Sequence, residues 1–258
     1  MGEYLQVTIC FLILSVLVNT APDSNADNSS SSVKDGLPEG ISEKFDPSII
    51  KQTGEHTYQL GNLRIDSKSR QIEFPAAVNM REGLIEVVIC TAYGKTHESI
   101  FVTPASPLHV HIALLLLGLK PGRNPGWYES PETAESPDES DTPVGDMVDV
   151  YATWGIPEGK RKVRVESLLE DIRTDEALPA MGWVFIGSLV DRGGAYVAQS
   201  SGSILTNYHD RTSVLDNPLE TGRIDDYTYA RTEEIPPIGA DVLIHIVPAK
   251  KQKGEGDD

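Results

Sequence analysis

Three of the chain's six histidines, His97, His109 and His111, fall between Leu84 and Gly122, and His97 opens the triplet His97-Glu98-Ser99. Imidazole and carboxylate are ordinary ligands of zinc and other divalent metals. His97, Glu98, His109 and His111 therefore form a candidate metal set. Ser99 lies two residues from His97, which puts both side chains on one side of a strand. That spacing makes a serine hydrolase pair the second candidate, if an acid and an oxyanion site join it. In the third, His97, Glu98 and Ser99 bind a ligand without reacting.

Geometry weighs on each. Neighbours in a strand face opposite ways, so His97 and Glu98 do not easily share one ion. His109 and His111 would stand about 200° apart on a helix. A zinc-protease helix needs a second histidine four residues after the first, and that position is Phe101. No Gly-x-Ser-x-Gly elbow occurs. Gly94-Lys95-Thr96 suggests a phosphate loop, but the earlier glycine of that motif is replaced by Ile89. His209-Asp210 sits in a turn-rich stretch where both types are common. The plain alternative keeps Glu98 on backbone amides and leaves His109 and His111 as first-turn helix residues. Trp127, Trp154 and Trp183 could line a groove, although such residues more often serve core and rim.

The elements around these residues are mostly strands. TYQLGNLRID reads as two strands about a Gly61-Asn62 turn. LIEVVIC is apolar on both faces, as a central strand would be. ESIFVT reads as extended. Ser106 and Pro107 then supply an N-cap and first position for a helix. Leu108, Ile112, Leu115, Leu116 and Leu119 carry its apolar spacing, and Gly118 and Pro121-Gly122 end it. DMVDVYATW, KVRVES, WVFIGS, AYVAQ, SILTN and DVLIHIV resume the strand pattern. Leu168–Leu178 reads as a short helix or a loop. The expectation is an α+β domain, mainly β, of short antiparallel strands with one clear helix.

The ends and the charge set further bounds. Tyr4–Val18 is apolar, ends in small residues and is too short to span a bilayer comfortably. Residues 1–21 are expected to be a cleaved export signal, cut after Ala21 or Ala26, leaving no membrane span. Residues 22–44 read as a disordered linker, 45–250 as one domain and 251–258 as a flexible tail. An acidic, mobile insertion covers 129–143, without the ligand spacing of a calcium loop. The formal net charge of −17 and the lack of a basic patch exclude a nucleic-acid partner. Cys90 is the one thiol outside the signal, so an iron–sulfur cluster, which normally needs four thiolates, is excluded.

EFPAAVN, GLIEVVIC, GKTHESIFVT and ALLLLGLKPG, followed by PVGDMVDVYATW, MGWVFIGS, SGSILTNYHD and PPIGADVLIHIVP, resemble the YdjY-type domain of exported bacterial proteins. The resemblance runs from about Thr57 to Pro248, and HES with its leucine-rich helix is the most specific part. It implies a periplasmic or extracellular, cell-envelope location and no particular reaction. Some members carry a ferredoxin-like label, which this chain's lone Cys90 does not support. The combined expectation is an exported, non-enzymatic module that binds an envelope protein or a small ligand and needs no cofactor. The metal-dependent and hydrolase readings are its alternatives. Buried in LIEVVIC, Cys90 should react with a thiol reagent only after denaturation. Rapid labelling of the native protein would overturn its burial.

Overall fold

The computed structural model describes residues 33–123, 142–155 and 159–250. The expected export signal, the expected tail, Trp127 and almost all of the acidic stretch 129–143 lie outside the described residues. So do residues 22–32 of the expected linker.

Four strands open the domain: β1 (Lys51–Gln52), β2 (Thr57–Leu60), β3 (Leu63–Asp66) and β4 (Gln71–Val78). Then come β5 (Val87–Thr91), β6 (Ser99–Thr103) and the helix α1 (Pro107–Leu116). The next are β7 (Met147–Trp154), β8 (Arg161–Arg164), β9 (Leu169–Asp171), β10 (Glu176–Ala177) and β11 (Trp183–Phe185). The short helix α2 (Val197–Ser201) precedes β12 (Ser203–Thr206), β13 (Leu215–Asp216), β14 (Thr228–Ala230) and β15 (Asp241–Pro248).

The main sheet closes on itself. Its order β4-β15-β7-β11-β13-β12-β5-β6 returns to β4 through Ala77↔Val102 and Val78↔Phe101, giving an eight-stranded barrel. A barrel of that size is just wide enough for side chains to fill. Phe74, Ile72, Val150, Ile244, Ile246, Phe101, Trp183 and Phe185 are all 0% exposed and fill the core. β1–β3 extend from one end of β4 and β8 from one end of β7, while β10-β9-β14 form a separate small sheet.

The expected class needs correction. The protein is mainly β, but it is a closed mixed barrel rather than an α+β domain of short antiparallel strands. β4, β7 and β15 each run eight residues. Two neighbouring pairs, β5–β6 and β12–β13, are parallel. Both pairs are joined by short connections, 92–98 and 207–214, and connections that short read as hairpin turns in a sequence. Parallel neighbours usually need a crossover of about a dozen residues. Here closure holds each second strand in place, so the chain doubles back tightly.

Local differences follow the same logic. Thr96–Glu98 is a 3-10 turn rather than part of a strand, because the crossover must end there. AYVAQ, read as a strand, instead enters α2, which Gly202 stops at φ +73°. Leu168–Leu178 is a hairpin, with β9 and β10 paired through Asp171↔Glu176. Helix α1 begins where Ser106 and Pro107 place it, with Ser106 Oγ accepting from the His109 amide at 3.4 Å. It is buried on nearly all sides, as an apolar helix inside a domain must be. Val33 and Leu37, from the stretch expected as linker, are buried against the core. The ends of the acidic insertion meet in a bridge between Arg123 and Val144.

Phe101 sits on the closing seam with no exposure. Phe101→Ala should lower the unfolding free energy by about 3–5 kcal/mol, the range for a deleted core aromatic. A urea midpoint equal to that of the native chain would contradict the placement of the seam.

Candidate functional site

The two tight crossovers lie side by side because β5 pairs antiparallel with β12, matching Cys90 with Ser203 and Val87 with Thr206. Between them is an open pocket of about 510 Å³. Tyr93, Gly94, Lys95 and His97 line it from the 92–98 crossover. Tyr208, His209, Asp210 and Thr212 line it from the 207–214 crossover, and Ser201 and Ser203 stand between. Close approach makes this possible. A Cβ on Gly94 would lie 3.0 Å from Cys90 Cβ and 3.1 Å from the Ser201 carbonyl oxygen.

The charges on the first wall are internally balanced. Lys95 Nζ lies 2.8 Å from Glu86 Oε2 and 3.0 Å from Glu98 Oε1. Partial burial works against its charge, but these carboxylates outweigh burial and hold the ammonium above its usual pKa. Tyr93 is 63% exposed, yet its hydroxyl is oriented by Gln199 Nε2 at 3.2 Å. Gln199 is held in turn by Ser106 Oγ at 2.7 Å, at the start of α1.

The second wall has a buried imidazole. His209 is 2% exposed, with both ring nitrogens covered by the surrounding protein. Burial lowers its pKa to about 4, against the upward pull of backbone groups at Leu219 and Asn217, while Arg223 lowers it further. Gly222 packs so tightly on the ring that a Cβ there would lie 2.4 Å from Nε2. Asp210 Oδ1 accepts from the amide and hydroxyl of Thr212 at 2.8 and 2.6 Å. Behind this wall, Thr206, Ser213, Asn207 and Asn217 form a buried hydrogen-bonded cluster.

The residues singled out by spacing go to different places. His97 is on the rim of the pocket, with a side chain 79% exposed and Nε2 3.9 Å from Glu98 Oε1. Glu98 pairs with Lys95 rather than with backbone amides. Ser99 is buried, donates to the Phe101 carbonyl at 3.3 Å and faces the Cys90 thiol, whose pKa burial raises. His109 is half-buried against the β2–β3 turn, where a Cβ on Gly61 would lie 2.5 Å from its Nδ1. His111 is fully buried, with Nδ1 2.9 Å from Tyr196 Oη and 3.0 Å from the Gly187 carbonyl. Its Nε2 lies 3.2 Å from the Gly36 carbonyl. Among the described residues, no group of three or more His, Cys, Asp or Glu is placed to hold a metal. His209 and Asp210 join His97 here. Their adjacency was the one signal in the sequence that could have found them.

A further arrangement has no signal in the sequence. On the outer face of the barrel, Thr153 Oγ1 lies 2.9 Å from His245 Nε2, and Glu73 Oε1 lies 3.1 Å from His245 Nδ1. The order hydroxyl, imidazole, carboxylate is that of a nucleophilic relay. However, Glu73 is off the Nδ1–H direction, so no hydrogen bond forms there. Thr153 is 3% exposed, next to last in β7, with Leu243 and Lys162 paired on either side. Buried between paired strands, the group reads as a cross-strand polar ladder.

A family model described as the YdjY domain matches residues 63–247, a span that includes both crossovers. No curated protein and no solved structure matches the chain. No helix among the described residues is long and apolar enough to cross a membrane.

The two buried histidines make stability depend on pH. Burial lowers the His111 pKa from 6.5 to about 4, although the Gly36 and Gly187 carbonyls pull it up. Above pH 6.5 folded and unfolded chains both hold this residue neutral. As pH falls, only the unfolded chain takes up the proton, so stability is lost down to the folded pKa and then levels off. Between neutrality and about pH 5, His111 alone should cost about 2 kcal/mol. His209 acts in the same direction. A urea midpoint that stays constant over that interval would contradict the neutral, buried assignment.

Proposed function

We propose that this chain, which belongs to the YdjY domain family, is an exported cell-envelope module that binds a small ligand without transforming it. The pocket between the two crossovers is the site. What carries the reading is that this pocket collects polar groups the fold does not use. Tyr93 and His97 project from the rim, Asp210 lines the wall, and the buried His209 ring backs it.

The reading favours binding over reaction for geometric reasons. Ser99, the hydrolase candidate, is buried and donates to the backbone rather than to a histidine. His97, Glu98, His109 and His111 are not gathered at one place, which argues against a shared zinc ion. Export is supported by the apolar leader followed by small residues, and by the envelope setting of the family resemblance.

Three measurements test this. Chain expressed with its leader in a bacterium should be recovered outside the cytoplasm, beginning at Pro22 or Asp27; a full-length cytoplasmic product would overturn export. Elemental analysis after purification without chelators should find no stoichiometric metal, and near-stoichiometric zinc would replace the binding reading with the metal-dependent one. Tyr93→Ala and His97→Ala should each change stability by less than about 0.5 kcal/mol, as exposed side chains do. A larger loss would mean that these residues serve the fold rather than a ligand.

A further inference from the structure

We propose that the ligand of the crossover pocket is a neutral, polyhydroxylated molecule of the saccharide class, stacked on Tyr93 and hydrogen-bonded along the 207–214 wall. The inference rests on the reading of this pocket as a binding site, and it narrows the chemistry of what enters.

The charges of the pocket disfavour an ionic ligand. A site for an anion needs a cation with charge to spare, and Lys95 is already paired with two carboxylates, Glu86 and Glu98. The pocket adds Asp210 rather than another base. The chain as a whole carries −17, which repels anions over a long range. A multivalent cation fits no better, because the described residues gather no set of ligands for one.

The hydrogen-bonding groups of the pocket suit a hydroxyl-rich ligand. A hydroxyl both donates and accepts, so a polyol is matched by groups that do both. The hydroxyls of Tyr93, Ser201 and Thr212 are of this two-way kind, and the His209 ring is buried in the wall behind them with both nitrogens covered. Tyr93 Oη accepts from Gln199, and Ser201 Oγ accepts from the Ser203 amide at 3.3 Å, so the hydroxyl proton of each remains available. Asp210 Oδ1 is satisfied by Thr212, which leaves Oδ2 as a strong acceptor for a ligand hydroxyl.

The Tyr93 ring is 63% exposed at the pocket rim, and it is not loose. The chain from Ser106 through Gln199 fixes its hydroxyl, so its ring is set before any ligand arrives. A rigid ring beside two-way hydrogen-bonding groups matches a ligand with one apolar face and a polar edge, as a pyranose has. The volume of about 510 Å³ lies in the usual range for small-molecule sites.

The test uses the mature chain, uniformly 15N-labelled, and three kinds of probe: neutral oligosaccharides (chitotriose, cellotriose and maltotriose), inorganic phosphate, and a small diamine. Backbone amides of Gly94, Lys95, His97, Asp210 and Thr212 report on the pocket. At least one neutral oligosaccharide should give saturable shifts on both crossovers. Those shifts should change little between low and high salt. Tyr93→Ala should weaken binding at least tenfold with an unchanged melting temperature, and Asp210→Asn should weaken it without abolishing the spectrum of the folded chain. If phosphate or the diamine moves the pocket amides and no saccharide does, the saccharide inference fails while the pocket remains a binding site. If no probe moves them, or saccharide shifts fall elsewhere on the barrel, both the inference and the pocket reading are overturned.

Discussion

Closure of the main sheet is the constraint from which the rest of this structure follows. The seam is short, Ala77↔Val102 and Val78↔Phe101, but it turns an open sheet into a ring without edges among its eight strands. Once the ring is closed, every strand needs two neighbours, and chain order no longer decides which they are. β6 must lie between β4 and β5, and β13 between β11 and β12. Each therefore runs parallel to the strand just before it, and the chain has few residues in which to return. The 3-10 turn at Thr96–Glu98 and the close approach of Gly94 to Cys90 come from that tight return.

The pocket is a by-product of the same geometry. Two tight returns on adjacent strands cannot both lie flat on the barrel, and the space between them is lined by whatever their residues offer. Here they offer hydroxyls, a carboxylate, a paired lysine and two histidines. The floor is stiff because the polar residues behind it bond to one another. Asn217 reaches Asn207, and Thr206 reaches Ser213 and Asp216. Buried polar networks of this kind tie a region to one conformation when their members are satisfied. His111 plays a comparable part on the other side of α1, where its ring touches the carbonyls of Gly36 and Gly187 and the Tyr196 hydroxyl. Gly187, at φ +79°, allows that approach, since a Cβ there would come 3.0 Å from the ring.

Of the residues that spacing singles out as site candidates, His97 alone lines the pocket between the crossovers. His97 stood out because a charged neighbour and a hydroxyl adjoin it, and it does line the pocket. Glu98 and Ser99 adjoin it in sequence but not in role: one holds Lys95, and the other lies under the strand beside Cys90. His109 and His111 looked like partners because they share a helix, yet one meets the β2–β3 turn and the other the core. His209 and Asp210 lie more than a hundred positions from His97 in the chain. Nothing in spacing along a chain can announce that β5 and β12 will pair.

Local pieces of the fold are legible in the residues alone. Ser106 and Pro107 start the helix, the Gly61-Asn62 turn joins β2 to β3, and the doubly apolar run at Val87–Thr91 is a strand buried throughout. These depend on capping, turn chemistry and hydrophobic period, which act over a few residues. Strand order, the parallel pairs, the closed ring and the pocket emerge only when the chain packs. Strands pair through backbone groups that every residue shares, so side-chain pattern says that a strand is buried without saying beside which neighbour. The burial of Val33 and Leu37, far from any strand in the sequence, was decided in the same way, by the surface the finished barrel and helix present.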